Sequence, residues 1–163
     1  MAKMKIEAKP EPENDRPLEE RVDETLMEPG KYEITKDHTF EVNVHLRQSD
    51  GRWVVVDNPV KGAEVHTVTF RMWNYDEMVD LKKQATAYDA GKRMHMIDND
   101  TLDRLKIQKL LMGWTFDRDN PRLKLHRVQG TLTDESWGVV KRLQPNILTY
   151  IISGMNRVYE LGL

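Results

Sequence analysis

Alternating apolar and polar positions between residues 40 and 72 predict three β-strands. The first strand has an apolar residue at every second position: Phe40, Val42, Val44 and Leu46. Such alternation is typical of a strand with one buried face. Asp50-Gly51 favours a tight reversal into a second strand over residues 52–56, and residues 64–72 form the third. We therefore expect a small, antiparallel sheet in this part of the chain.

Helical spacing replaces this alternation after Asn74. Asn74 is suited to cap a helix, with Glu77 as its partner three residues later, and Gly91 is suited to end it. The apolar stripe of this helix is Met78, Leu81, Ala85 and Tyr88. A short loop over residues 92–98 is expected to follow.

A central helix is predicted within residues 100–116, with Asn99 or Asp100 as its cap and Gly113 at its end. One face of it has the spacing i, i+3, i+4, i+7, as in Ile107, Leu110, Leu111 and Trp114. Trp114 is expected to be buried where this helix meets its neighbours.

Two further helices complete the prediction. Thr133 can cap a helix through Leu143, and Pro145 is well placed at the first position of the last helix. Taken in order, the elements predict an α+β fold: a small antiparallel β-sheet followed by a three- to four-helix bundle, in a single domain of residues 36–163.

An extended acidic arm, residues 1–35, is predicted to precede this domain. Residues 1–30 contain nine acidic and five basic side chains and four of the seven prolines. Such a segment buries too little apolar surface to fold alone. Leu18, Val22 and Leu26 recur at i, i+4, i+8. They indicate either a short helix that orders on a partner or a solvated tail with chance spacing.

Composition narrows the function classes. The net charge is −2, which argues against nucleic-acid binding, and there is no cysteine, which excludes disulfides and thiolate chemistry. Apolar runs are only a few residues long, so we expect no membrane span. The first ten residues lack the apolar stretch of a secretory signal. A protein of the cytoplasm is the resulting expectation.

No catalytic or cofactor-binding pattern is present in the sequence. No two of the five histidines have the i, i+4 spacing of a helical metal pair, which argues against a zinc or iron site. Asp98-Asn99-Asp100 begins like a calcium loop, but Asp103 stands where that loop needs glycine. There is no glycine-rich phosphate loop. We therefore expect no enzyme, no cofactor and no metal.

Basic residues are concentrated in one loop of the second half. Residues 92–142 contain eleven basic and seven acidic side chains. Four of the basic residues surround a polar loop: Arg118, Arg122, Lys124 and Arg127. This cluster is compatible with a nucleic-acid surface, with a docking site for an acidic arm of the same or a neighbouring subunit, and with a solvated loop.

The second half resembles the small tail proteins of bacteriophages, especially tail assembly chaperones. The resembling elements are the strand V-T-F-R-M-W before a capped acidic helix, the segment L-K-I-Q-K-L-L-M-G-W-T-F, a polar loop, and a closing helix after L-Q-P-N-I-L. The resemblance covers about residues 64–160 and does not include the hairpin or the acidic arm that precede them.

This resemblance implies a non-enzymatic protein that binds tape-measure or tail-tube protein in the host cytoplasm during assembly. It implies partners among other phage structural or tail proteins, with a homo-oligomer as a further option. An exposed groove would be needed, for which the last helix is the candidate because Ile151 and Ile152 cannot both face one narrow core, with Met155 beside them. The alternatives are a virion structural subunit whose arm contacts neighbouring subunits and, more remotely, a small enzyme or nucleic-acid adaptor.

Overall fold

A four-stranded antiparallel sheet is the framework of the computed structural model, which describes residues 38–161 of the chain. All of these residues lie within one unit, Ile34–Leu163. In chain order the strands and helices are β1 (Thr39–Ser49), β2 (Arg52–Val56), β3 (Glu64–Arg71), α1 (Tyr75–Gln84), β4 (Thr86–Asp89), β5 (Met94–Ile97), α2 (Asn99–Leu110), β6 (Leu111–Trp114), β7 (Arg127–Val128), β8 (Thr131–Leu132), α3 (Asp134–Val140) and α4 (Pro145–Leu161).

The main sheet has the strand order β2-β1-β3-β6. Its first hairpin turns at Asp50 and Gly51, whose φ angles of 52° and 75° are left-handed, as a tight Asp-Gly turn requires. The inward positions Val44, Val68 and Phe70 have no solvent exposure. The alternation in the sequence therefore predicted the buried face of β1 correctly.

Helix α4 covers this sheet by packing against β1 and β2. The approach is close, because a Cβ atom added to Gly154 would lie 2.7 Å from Cγ1 of Val42. Ile147, Ile151 and Met155 of α4 are buried in the core. Gly154 thus allows the helix backbone to lie directly on the sheet.

The predicted arrangement of a sheet followed by a helix bundle is wrong. The described part of the chain is α+β, with a four-stranded antiparallel sheet and four helices. However, the fourth strand, β6, follows the second helix and pairs with β3. The helices also pack largely on strands, with α4 on the sheet and α2 against β8. Strands of the main sheet therefore occur both before and after the first two helices of the chain.

The central helix is shorter than its apolar spacing predicted. It ends at Leu110, and the chain enters β6 at Leu111 without a loop. Its cap is Asp98, whose carboxylate accepts a hydrogen bond from the Asp100 N–H at 3.2 Å. The hydroxyl of Thr101 donates to the same carboxylate, and this hydrogen bond lowers the pKa of Asp98. Trp114 is buried, but it lies in a strand.

The first helix also ends earlier than predicted, at Gln84. Residues 86–97 form a second hairpin, β4–β5, where the sequence predicted the end of a helix and a loop. Two caps were predicted correctly: Asn74 Oδ1 accepts from the Glu77 N–H at 2.9 Å, and Thr133 Oγ1 accepts from the Ser136 N–H at 3.1 Å. The cap of α2 was predicted wrongly at Asn99 or Asp100, since it is Asp98.

A buried polar junction joins α2 to α4. The ammonium group of Lys106 donates to Asn156 Oδ1 at 2.8 Å and lies 5.1 Å from the centre of the Trp73 ring. Asn156 in turn donates to Asp103 at 2.9 Å. The Tyr159 hydroxyl donates to the Arg71 carbonyl at 2.7 Å. Burial lowers the pKa of Lys106 and raises that of Tyr159.

Candidate functional site

The β4–β5 hairpin presents apolar side chains to solvent on both of its faces. Tyr88, Met94, Met96 and Ile97 are exposed, Tyr88 by 60% and Met94 by 53%. The register pairs Tyr88 with His95 and Asp89 with Met94. Tyr88 and Ile97 therefore share one face, and Met94 and Met96 share the other. We refer to Thr86–Asp89 and Met94–Ile97 together as the apolar hairpin.

Local interactions hold this hairpin in shape. Asp89 Oδ1 accepts hydrogen bonds from the backbone N–H groups of Gly91 and Lys92, at 2.9 and 3.1 Å. At the base, the Asp98 N–H donates to the Ala85 carbonyl at 2.9 Å. Within residues 38–161 the hairpin is a separate two-stranded sheet, so each strand has one edge without a strand partner. Such edges are available for pairing with another chain.

A cleft of about 1030 Å³ lies at one end of the main sheet. Leu46, Trp53 and Ile147 contribute apolar surface to it, and Arg122 and Arg142 contribute basic groups. The inward face of β3 leads into this cleft, because His66 precedes Val68 and Phe70 on the same side of the strand. Among the described residues, the cleft therefore continues the apolar core towards the surface.

Three potential metal ligands meet in this cleft: Glu64, His66 and Asp119. One ligand atom from each lies within 4.8 Å of the other two. His66 is 8% exposed, whereas both carboxylates are at the surface. The imidazole stacks on Phe116 with 4.5 Å between ring centres. Its Nδ1 lies 3.3 Å from Thr115 Oγ1, and its Nε2 lies 3.4 Å from Glu64 Oε2.

The basic loop predicted from the sequence is divided by the structure. Arg118, Arg122 and Lys124 are exposed. Arg122 lines the cleft and, with Lys124, a smaller hollow of about 260 Å³. Arg118 lines neither of them. Partner binding by these three residues stays a prediction.

Arg127 differs from the other basic residues because its guanidinium is engaged within the chain. It donates hydrogen bonds to the carbonyls of Lys109, Leu111 and Gly130, the first at 3.1 Å. Burial and the nearby Arg71 lower the pKa of Arg127. The three carbonyls belong to the end of α2, the start of β6 and the β7–β8 turn. In this structure Arg127 therefore connects three backbone segments and has few donors left for a partner.

The predicted partner-binding residues of the last helix lie mostly inside the protein. Ile151 and Met155 are buried, and Ile152 is half-buried against the core. The fold thus buries Ile151 in the core and places Ile152 at the margin of that core. Of these three residues, Ile152 is the accessible one. Leu18, Val22 and Leu26 lie outside the described residues, as does the predicted arm of residues 1–35.

Sequence reasoning missed both the apolar hairpin and the Glu64–His66–Asp119 cluster. A signal for part of the cluster exists, since Glu64 and His66 stand at i−4 and i−2 from Val68 on the buried face. Asp119 could not have been added, because its contact with β3 depends on the turn that follows β6. The hairpin was not predicted because Ala85 and Tyr88 continue the helical spacing of α1.

Comparisons with protein-family models, curated proteins and solved structures each found no match to this chain. In residues 38–161 no helix combines the length and apolar character needed to cross a membrane.

Proposed function

We propose that this chain is a non-enzymatic bacteriophage tail assembly protein, which binds a tape-measure or tail-tube protein through the apolar hairpin. The resemblance of residues 64–160 to tail assembly chaperones supports the class of protein. The observation that carries the proposal is the exposure of large apolar side chains on both faces of one hairpin. Exposed apolar side chains do not make a protein more soluble, so a cluster of them at the surface indicates a binding site.

The geometry of the hairpin favours an added strand as the mode of binding. Among residues 38–161, each strand has an edge without a strand partner that can form main-chain hydrogen bonds. Alternate side chains of the partner would meet Tyr88 and Ile97 on one face or Met94 and Met96 on the other. Methionine adapts to differently shaped partners because its side chain is unbranched and flexible. Each apolar side chain contributes roughly 1.5–3 kcal/mol when burial is complete.

Charge at the tip of the hairpin narrows the partner further. Lys92 and Arg93 are both exposed in its turn, beside the apolar strands. The partner segment is therefore an extended apolar strand with an acidic residue at the end that meets this turn.

Co-purification tests this proposal. The tagged full chain is co-expressed with the tape-measure and tail-tube proteins of the same phage, and captured proteins are identified by mass spectrometry. Met94→Glu should abolish capture, because it places a charge in the new apolar contact. Val128→Glu is the matched control, since Val128 is similarly exposed at 61% but lies in β7. Both variants should keep the melting temperature of the wild type.

Two outcomes would contradict the proposal: no capture of either protein by the wild type, or equal capture by Met94→Glu and wild type.

Mass spectrometry of purified virions then distinguishes an assembly chaperone from a structural subunit. An assembly chaperone is absent from finished particles, whereas a structural subunit is present in fixed stoichiometry.

A further inference from the structure

We propose that Glu64, His66 and Asp119 form a binding site for a divalent transition-metal ion, with Zn²⁺ as the best match, at the wall of the cleft. This site is independent of the apolar hairpin. It also departs from the expectation drawn from histidine spacing, which considered only pairs of ligands on one helix.

The separation of the ligand atoms fits a metal ion. Zinc is bound by imidazole nitrogen and carboxylate oxygen at about 2.0–2.2 Å, so two ligands in a tetrahedral arrangement lie about 3.4 Å apart. Nε2 of His66 and Oε2 of Glu64 are separated by 3.4 Å. The three ligand atoms lie within 4.8 Å of one another, and the carboxylates of Glu64 and Asp119 are exposed.

The backbone supplies this geometry from two directions. Glu64 and His66 are two residues apart on β3, so both side chains leave the strand on the same face. Asp119 follows the 3₁₀ turn Phe116–Arg118, and its N–H donates to the Phe116 carbonyl. The turn is held to β3 by the Thr115 N–H, which donates to the Thr67 carbonyl at 3.0 Å. The ligands therefore start from elements that are already fixed to each other.

A hydrogen bond behind the imidazole orients it for metal binding. Nδ1 of His66 lies 3.3 Å from Thr115 Oγ1, which also accepts from the Thr67 N–H at 3.0 Å. When Nδ1 carries the proton and donates it to this hydroxyl, the Nε2 lone pair points towards Glu64 Oε2. Two lone pairs then face each other across 3.4 Å, an arrangement that a bound cation makes favourable. Metal-ligating histidines commonly have such a second partner.

The charges around the site are compatible with a divalent ion. Two carboxylates neutralise its formal charge, so Arg122 and Arg142 in the same cleft do not face a net cation. Three protein ligands leave a fourth position open towards the cleft. One nitrogen and two oxygens suit zinc better than calcium or magnesium, which prefer oxygen ligands alone.

Zinc titration of the full chain tests the site. The protein is first freed of metal with a chelator, and Zn²⁺ is then added in competition with a chromophoric chelator. We expect one ion per chain and a rise in melting temperature that the chelator reverses, because the ion links β3 to the turn. Asp119→Asn and Glu64→Gln should each weaken binding tenfold or more. Both residues are exposed, so neither change threatens the fold.

Three matched variants sharpen the test. Asp117→Asn removes a carboxylate from the same turn but outside the cluster, and His126→Gln removes an exposed histidine; both should bind zinc like the wild type. Thr115→Val should weaken binding by about 10- to 100-fold through the loss of the orienting hydrogen bond. Co²⁺ in place of zinc should give visible absorption bands that Asp119→Asn abolishes. Absence of stoichiometric binding, or equal binding by wild type and Asp119→Asn, would overturn the proposal.

Discussion

The main sheet and the β4–β5 hairpin are both antiparallel, yet they use apolar residues in opposite ways. In the main sheet Val44, Val68 and Phe70 have no solvent exposure, and α4 packs against strands β1 and β2. In the hairpin Tyr88 and Met94 are more than half exposed. In this chain, a pair of strands therefore forms both where its apolar face is buried and where its apolar side chains are exposed. The sheet is stabilised by what it buries, and the hairpin by its own turn and base.

The largest expected effect is the truncation of a buried aromatic residue. Trp114 is 8% exposed, and its indole N–H donates to the Leu123 carbonyl at 2.8 Å. Trp114→Ala should lower the free energy of unfolding by about 3–5 kcal/mol through lost burial and a residual cavity. Tyr88→Ala, the corresponding truncation in the hairpin, should change it by less than about 0.5 kcal/mol. Chemical denaturation measures both, and similar losses would remove the distinction between the two regions.

A smaller effect is expected at the contact between α4 and the sheet. Alanine normally stabilises a helix by up to about 1 kcal/mol relative to glycine. At Gly154 the added methyl group would lie 2.7 Å from Val42, so Gly154→Ala should instead destabilise the protein by about 1–3 kcal/mol. Gly138→Ala in α3 is the control, since a Cβ atom there meets nothing within 4 Å and should be stabilising. If both variants gained stability, the close approach would be absent in solution.

The smallest expected effect is a change of stability with pH that arises from the buried polar junction between α2 and α4. Burial lowers the pKa of Lys106 in the folded protein below its usual value of 10.5. Between the lowered pKa of the folded protein and the usual pKa of the unfolded chain, the unfolded chain binds more protons than the folded one. The free energy of unfolding should therefore rise with pH in this window, and Lys106→Met should lose that rise.

Tyr159 has the opposite sign and serves as an internal check. Its pKa is raised above the usual 10.0, so above that pH the unfolded chain releases a proton that the folded chain retains. Stability should fall there, and Tyr159→Phe should remove the fall. Denaturation curves at several alkaline pH values measure both slopes. A wild type and a Lys106→Met variant with parallel pH dependence would show that Lys106 is solvated.

The sequence predicted features whose causes are local. The Asp50-Gly51 turn, the cap at Asn74 and the start of α4 at Pro145 each depend on a few adjacent residues. The predictions were wrong where contacts between residues far apart in the sequence determine the secondary structure. Leu111 and Trp114 continue the helical spacing of α2, but pairing with β3 converts them into a strand.

The candidate site shows the same limit of sequence reasoning. Glu64 and His66 are two residues apart and could have been grouped by strand periodicity. Asp119 reaches them only because β6 pairs with β3 and the turn after it returns over the sheet end. Likewise, Lys106 is buried because Asn156, fifty residues away, offers it a hydrogen-bond acceptor. No periodicity within α2 contains that information.

The three carbonyl contacts of Arg127 have a consequence for how the protein opens. Separation of the β7–β8 turn from α2 would leave the carbonyls of Lys109 and Leu111 without this donor. The end of α2, the start of β6 and the β7–β8 turn should therefore open together, as one cooperative unit in amide hydrogen exchange. The β4–β5 hairpin is joined to α1 at its base, where Thr86 Oγ1 donates to the Lys82 carbonyl at 2.8 Å, and it should exchange independently and faster. The proposed partner binding would then need only local opening of the hairpin, with the rest of the protein closed.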